Sequence, residues 1–157
     1  MRIEPLCKQH DRKDFDCGNE ELNRYFREQV SQDVRRCQCA CFVLQDEETL
    51  KTSGFYTLSP YLVSRDKMAM VGVNAGRRAY VTAYLLGKLA VDTRYKKRGF
   101  GSSLILDAVS RCLRSEIPAT GLLVDLKTTD LLPFYESNGF VKIDERQAFF
   151  FFPKRKI

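Results

Sequence analysis

The chain has 157 residues, 44% of them hydrophobic, and a formal charge of +6. Because domains most often run to about 100–150 residues, we predict one domain spanning residues 1–157. The excess of 26 basic over 20 acidic residues favours a polyanionic partner, either a phosphorylated cofactor or a nucleic acid. No apolar stretch approaches the roughly 20 residues of a membrane span, so we expect no membrane partner.

The N-terminal half predicts a strand, a helix and an antiparallel hairpin. The strand covers Arg2–Leu6, and Asp16–Asn19 then offers side chains that cap a helix. Two strands follow at Cys39–Leu44 and Gly54–Val63, joined by the polar turn Asp46–Thr52. Between cap and hairpin we predict an amphipathic helix of about five turns, because apolar residues recur at helical spacing: Leu22, Phe26, Val30 and Val34.

The middle of the chain predicts a strand, a helix and a buried strand in succession. Ser64–Arg78 is expected to be an irregular surface connection with a short strand, and Tyr80–Val91 carries a strong strand pattern. Apolar residues then recur at helical spacing over Leu104–Leu113, and Pro118 ends that helix. The short apolar run Gly121–Leu126 is typical of a buried parallel strand.

The C-terminal part predicts a short helix and a closing hairpin. The helix covers Leu131–Asn138, with Pro133 tolerated in its first turn and Gly139 as a left-handed terminator. The hairpin pairs Phe140–Ile143 with Ala148–Phe152. The order of elements indicates an α+β fold with helices packed on a central sheet.

Six cysteines bear on redox state and on metal binding. Met1–Pro5 lacks the apolar stretch of an export signal, so we expect a cytoplasmic protein with reduced thiols. Cys37, Cys39 and Cys41 alternate along the sequence, which on one strand would place all three on the same face. Since the spacing of zinc ligands is missing, we expect buried or half-buried free thiols and no metal.

The segment between the strand Tyr80–Val91 and the following helix is rich in cations and glycine. The N–H groups at a helix start point outward, and with the helix dipole they favour a bound phosphate. A P-loop is excluded because no Gly-Lys-Ser/Thr ends the segment. A dinucleotide fingerprint is excluded because Leu104 replaces its third glycine. The residues concerned are Arg94, Lys96, Lys97, Arg98, Gly99 and Gly101.

This segment resembles motif A of the GNAT acetyltransferase superfamily, whose loop reads Gln/Arg-x-x-Gly-x-Gly/Ala. Arg98–Gly101 matches the core of the motif, whereas Lys96 replaces the preferred Gln or Arg. Phe134–Phe140 resembles motif B, with its F-Y-x-x-x-G-F ending. The resemblance implies a mixed, mostly antiparallel sheet flanked by helices, splayed between the strand near 81–91 and the strand near 121–127.

Three further segments resemble one GNAT subgroup: Phe15–Asn23, Gly54–Ser59 and Leu86–Asp92. Members of this subgroup include toxins of bacterial toxin–antitoxin pairs that acetylate the amino group of aminoacyl-tRNA. The resemblance implies an N-acetyltransferase that uses acetyl-CoA, with aminoacyl-tRNA as the favoured acceptor. It also implies a ribbon-helix-helix antitoxin and a homodimer as possible partners.

The resemblance assigns roles to individual residues. The main chain of Leu89, Ala90 and Val91 is expected to bind the pantetheine arm and to polarise the thioester. Tyr135 is the candidate general acid that protonates the departing thiolate. His10, the single histidine, precedes the first helix and is not expected to act in catalysis. The coenzyme pyrophosphate is assigned to a continuous run: Lys96, Lys97, Arg98, Gly99, Phe100, Gly101, Ser102 and Ser103.

Two other functions stay open at this point. The enzyme could acetylate a small amine or a protein N-terminus, and the sequence contains nothing that separates these acceptors from tRNA. The chain could also be an inactive acyl-CoA-binding or nucleic-acid-binding module. The intact loop Arg98–Gly101 and the presence of Tyr135 argue against the inactive module.

Overall fold

The computed structural model describes residues 1–157, and its seven strands form one sheet in the order β1-β2-β3-β4-β5-β7-β6. β4 and β5 pair in parallel, whereas β1–β2, β2–β3, β5–β7 and β6–β7 pair antiparallel. The predicted α+β class is therefore confirmed. The strands are β1 Arg2–Pro5, β2 Ala40–Gln45, β3 Thr52–Ser64, β4 Tyr80–Val91, β5 Gly121–Asp125, β6 Val141–Asp144 and β7 Gln147–Phe151.

The helices lie in the predicted segments, with two departures described below. Short 3₁₀ turns at Thr93–Tyr95 and Thr129–Leu131 precede α4 and α5. No helix is long and apolar enough to cross a bilayer. The helices are α1 Glu20–Arg24, α2 Val30–Arg35, α3 Arg65–Ala69, α4 Phe100–Arg114 and α5 Leu132–Ser137.

The chain forms two compact units. The first comprises residues 1–59 and 87–108, and the second comprises residues 60–86 and 109–157. In the first unit the rings of Phe26 and Phe55 stack with centroids 4.1 Å apart, and Phe15 meets both edge-on. In the second unit Met68, Leu123 and Phe149 are fully buried in one apolar cluster.

The predicted helix of about five turns is interrupted by a π-helical segment. α1 ends at Arg24, the π-helix covers Tyr25–Gln29, and α2 continues to Arg35. The Phe26 carbonyl accepts a hydrogen bond of 2.7 Å from the Arg12 guanidinium. Asn19 is the residue that caps α1, since its Oδ1 accepts from the Leu22 N–H at 3.1 Å.

The short strand expected within Ser64–Arg78 is wrong. α3 forms there instead, capped by the Ser64 side chain, which accepts from the Lys67 N–H at 3.2 Å. Its Met68 side chain is fully buried. A single turn is too short to show helical spacing of apolar residues, whereas its capping serine is visible in the sequence.

The alternating cysteines do not share a strand. Cys37 lies in the turn after α2 with φ of 57°, and β2 begins only at Ala40. All six thiols are free, but the expectation that they are buried or half-buried is wrong for two of them. Cys7 and Cys37 are exposed, Cys39 is half-buried, and three are buried: Cys17, Cys41 and Cys112.

Candidate coenzyme-binding site

β4 ends at Val91 and is followed by Asp92, a fully buried carboxylate in the first unit. Its Oδ1 accepts from the Arg94 N–H and Nε at 2.9 Å, and its Oδ2 accepts from Arg94 Nη2 at 2.8 Å. Burial acts to raise the pKa of Asp92, but the hydrogen bonds from Arg94 and from the Asp16 N–H together outweigh it and hold the pKa below its ordinary value. Asp92 therefore caps the turn Thr93–Tyr95 as a carboxylate.

The loop that follows has two residues in the left-handed region. Lys97 has φ of 62° and Gly99 has φ of 81°. A side chain on Gly99 would meet no atom within 4 Å, so the glycine is required by backbone conformation and not by space. α4 begins at Phe100, and the Ser103 N–H and Oγ both bond to the Gly99 carbonyl at 3.1 Å. The N–H groups before Ser103 belong to the first turn and have no intrahelical acceptor.

The cations of the loop are placed by specific contacts. Arg98 lies over the ring of Tyr95, with its guanidinium carbon 5.6 Å from the centroid. The Tyr95 hydroxyl donates to Asp46 Oδ2 at 2.9 Å, and this bond lowers the pKa of Asp46. Lys96 Nζ donates to the Cys17 carbonyl at 2.6 Å, whereas Lys97 is exposed.

The end of β4 is closely approached by Gly54 on β3. A Cβ on Gly54 would lie 2.9 Å from the Ala90 carbonyl oxygen and 3.2 Å from Leu104 Cδ1. Ala90 is buried, and Leu89 and Val91 are half-buried. Pairing of β4 with β5 covers the three pairs from Tyr84–Leu122 to Leu86–Val124, so β4 continues for the segment Gly87–Val91 beyond the last pair.

The structure brings most of the predicted site residues together in the first unit. The end of β4, the cationic loop and the start of α4 are consecutive there, and Ser102 is half-buried in the first turn. Phe100 meets the ring of Tyr95 edge-on, with centroids 6.3 Å apart. The cationic loop and the first turn of α4 together form an exposed, positively charged helix start of the kind that binds phosphate.

Tyr135 belongs to the second unit, on α5, and is 7% exposed. Phe134 and Phe140 meet its ring edge-on, with centroids 5.1 and 5.3 Å away. Burial raises the pKa of Tyr135 to about 12. Its hydroxyl therefore stays protonated at neutral pH and can donate a hydrogen bond. Asn138 ends the helix, and its Nδ2 donates to the Phe134 carbonyl at 2.8 Å.

His10 is buried in the first unit and is engaged on both ring nitrogens. Nδ1 accepts from the Cys7 N–H at 3.0 Å, so Nε2 carries the proton that is donated to Glu4 Oε1 at 2.8 Å. Both nitrogens thus hold the N-terminal segment in place.

The sequence alone did not identify Asp92 and Asp46 as residues that shape the loop. Asp92 had a visible signal, because an aspartate directly after a strand and before a turn is a typical cap. Asp46 lies 49 positions from its partner Tyr95, and nothing local in the sequence reveals that contact.

A sequence profile described as an acetyltransferase (GNAT) domain matches residues 38–142. The chain belongs to the GNAT acetyltransferase family. It is an acyl-CoA-dependent N-acetyltransferase.

Proteins of known activity are similar to this chain over most of its length. A tRNA-acetylating toxin of Mycobacterium tuberculosis is 29% identical over 123 residues, which are 77% of this chain and 72% of that protein. The structure of AtaT complexed with acetyl-methionyl-tRNAfMet is 25% identical, covers 96% of this chain and 94% of that chain, and has a TM-score of 0.81. AtaTR bound with AcCoA is 25% identical, with coverages of 95% and 92% and a TM-score of 0.76.

Proposed function

We propose that this N-acetyltransferase takes its acetyl group from acetyl-CoA and transfers it to the amino group of an aminoacyl-tRNA. The observation that carries the coenzyme assignment is the exposed loop with two left-handed residues at the start of α4. The tRNA-acetylating toxin and the AtaT complex with an acetylated aminoacyl-tRNA support the acceptor. AtaTR bound with AcCoA supports the donor.

In this proposal the pyrophosphate lies on the loop Lys96–Ser103. Main-chain N–H groups of the first turn of α4 bind the phosphate oxygens, and Lys97 and Arg98 supply positive charge. The main chain of Leu89–Val91 binds the pantetheine arm and polarises the thioester carbonyl. Gly54 keeps space beside the Ala90 carbonyl, which a side chain at that position would occupy.

The reaction is a direct displacement. The amine nitrogen attacks the thioester carbon, the C–S bond breaks from the tetrahedral intermediate, and the sulfur leaves as a thiolate. The attacking nitrogen becomes positively charged in that intermediate, so one proton must pass from it to the sulfur, and in this proposal the Tyr135 hydroxyl passes it.

The pKa of Tyr135 determines how its hydroxyl can deliver a proton to the departing sulfur. A value of about 12 lies above that of an ordinary thiol, roughly 8.5, so proton donation to the thiolate without replacement would be uphill. The transfer becomes favourable when the tyrosine oxygen receives a proton from the positively charged nitrogen of the intermediate as it gives one to the sulfur. Tyr135 is thus proposed as a relay and as a hydrogen-bond donor to the departing sulfur.

The assignment of the coenzyme site is tested by placing a negatively charged, bulky side chain at Gly99 or at Gly101. Gly99→Glu and Gly101→Glu are expected to abolish acetyl-CoA binding in calorimetry, because a carboxylate would stand beside the pyrophosphate. At Gly99 the side chain is also strained, since the backbone φ there is 81°. Leu106→Glu is the matched control, since it adds the same charge to a residue of α4 that is 69% exposed. Unchanged affinity in a folded Gly99→Glu variant would refute the site.

The expected partners remain predictions. A ribbon-helix-helix antitoxin would be encoded beside this chain if the toxin interpretation is right, and the neighbouring reading frame is the simplest place to look. A homodimer is expected from the subgroup resemblance and is measured by sedimentation.

A further inference from the structure

The proposed mechanism leaves the segment Phe15–Gly18 without a role. This segment lies against the residues that lead into the loop Lys96–Ser103, called the coenzyme loop below, and against the first residue of that loop. The Asp16 N–H donates to Asp92 Oδ2 at 3.1 Å, and the Asp16 carbonyl accepts from the Thr93 N–H at 2.8 Å. The Cys17 carbonyl accepts from Lys96 Nζ at 2.6 Å. Asp16 is therefore bonded to residues that precede the loop, and Cys17 is bonded to the first residue of the loop.

The segment has a fixed shape of its own. Asp16 Oδ1 accepts from the Gly18 N–H and from Asn23 Nδ2, both at 2.9 Å. Asn23 Oδ1 in turn accepts from the Cys17 N–H at 2.8 Å, and Asn23 is only 2% exposed. Gly18 has φ of 88°, a conformation that disfavours any side chain. The Asp16 carboxylate and Asn23 thus join the segment to α1.

The loop needs such support because part of it is strained. Lys97 is a non-glycine residue in the left-handed region, and such residues persist only where the surroundings determine the backbone. Lys96, directly before it, is extended with ψ of 159° and is held by the Cys17 carbonyl. Gly99 and the start of α4 fix the other side of Lys97.

We propose that the segment Phe15–Gly18 acts as a brace, meaning that its hydrogen bonds hold the coenzyme loop in position. Asp16 and Lys96 increase acetyl-CoA affinity through these hydrogen bonds, without touching the coenzyme. This inference rests on the proposed coenzyme site. It gives Lys96 a different role from the phosphate contact expected from its sequence position. The proposal also gives a physical role to the residues Asp16-Cys17-Gly18, which otherwise only precede α1.

Substitution of Asp16 provides a test, because electrostatics and geometry predict opposite changes in acetyl-CoA affinity. Removing its charge should strengthen binding of an anionic coenzyme if charge alone mattered. Asp16→Ala removes the acceptor for Gly18 and Asn23, so the brace predicts weaker binding by about five- to tenfold, the effect of one or two hydrogen bonds. Asp16→Asn keeps an acceptor oxygen and is expected to restore affinity to within about twofold of wild type.

The measurements are the Kd of acetyl-CoA by calorimetry, KM and kcat, and the melting temperature. A positioning role raises Kd and KM in Asp16→Ala and leaves kcat within about twofold. Asp14→Ala is the matched control, because it removes the same charge two residues away from an exposed pair with Lys51. Should Asp16→Ala melt below the assay temperature, Gly18→Ala disturbs the same segment with the Asp16 charge retained.

Lys96 is tested by a double-mutant cycle with Asp16. Lys96→Met weakens acetyl-CoA binding whether it acts through the brace or touches phosphate. In the Asp16→Ala background the brace predicts little further loss, since the Cys17 carbonyl is then no longer fixed. An equal loss in both backgrounds would overturn the indirect role of Lys96.

Two outcomes would overturn the brace itself. One is an Asp16→Ala variant that binds acetyl-CoA as tightly as wild type, and the other is an equal loss in Asp16→Ala and Asp16→Asn. Failure of the coenzyme site itself is recognised separately, because Gly99→Glu would then also retain full affinity.

Discussion

The Tyr135 hydroxyl keeps its proton over the pH range of an acetyltransfer assay, because burial raises its pKa to about 12. Tyr135→Phe removes only that hydroxyl and leaves the ring between Phe134 and Phe140. We expect kcat to fall by about 10²–10⁴, the usual loss for a proton-transfer group, with KM and the Kd of acetyl-CoA little changed. A thiol-release assay with any accepted amine measures the effect.

Tyr84→Phe is the matched control for this prediction. Its hydroxyl bonds to Ser115 Oγ at 3.0 Å and to the Ile117 carbonyl at 2.9 Å, so its loss should cost about 1 kcal/mol of folding stability and little turnover. If Tyr135→Phe behaves like Tyr84→Phe, with a lower melting temperature and turnover within about threefold of wild type, the proton passes through another group.

The end of β4 and the start of α4 are held in place by the close approach of β3. Gly54→Ala would place a Cβ 2.9 Å from the Ala90 carbonyl oxygen and 3.2 Å from Leu104 Cδ1, so one of the two elements must shift. We expect a loss of about 1–3 kcal/mol in the free energy of unfolding, as for other overpacked positions. We also expect weaker acetyl-CoA binding, because Ala90 belongs to the proposed site and Leu104 directly follows the loop Lys96–Ser103.

Ser53→Ala separates this effect from a general disturbance of β3. Ser53 is fully buried, and its hydroxyl oxygen has no hydrogen-bond partner. Its removal is therefore expected to leave stability unchanged or slightly higher, with normal coenzyme affinity. A Gly54→Ala variant with wild-type melting temperature and affinity would show that β4 and α4 tolerate the extra methyl group, contrary to this prediction.

Elements with a strong local signal could be predicted from the sequence, and elements set by distant contacts could not. β4 lies where the alternation of Tyr80–Val91 placed it, and Gly139 has the left-handed φ, 92°, expected of a helix terminator. The π-helical segment Tyr25–Gln29 has no such signal. Within it the Phe26 carbonyl accepts from Arg12, 14 positions away, and a contact of this kind is not visible in a local pattern.

The same distinction applies to the candidate site. Glycine and charge in Lys96–Ser103 predicted an anion-binding helix start, because those features are local. The contact of Lys96 with Cys17 joins residues 79 positions apart, and only the folded chain reveals it. The sequence pattern can therefore indicate which residues form the candidate site, but not which of its cations already bonds to another part of the protein.

At the level of the whole molecule, the formal charge of +6 bears on the acceptor. A tRNA carries many phosphates, whereas a small amine carries none, so the two acceptors differ in how binding responds to salt. Contacts to phosphate release condensed counterions, and the logarithm of the affinity then falls linearly with the logarithm of the salt concentration. The basic excess is modest, and the proposed coenzyme loop contains three of its cations, which limits the expected number of phosphate contacts.

We therefore expect aminoacyl-tRNA binding to weaken by about a hundredfold between roughly 50 and 200 mM salt, as about four phosphate contacts would produce. Filter binding of a stable aminoacyl-tRNA analogue measures the slope. Repeating it with saturating coenzyme A separates tRNA contacts from competition at Lys96–Ser103, because a bound coenzyme neutralises that loop. A flat response, or no binding at the lowest salt, would favour a small amine or a protein N-terminus as the acceptor and leave the coenzyme site unaffected.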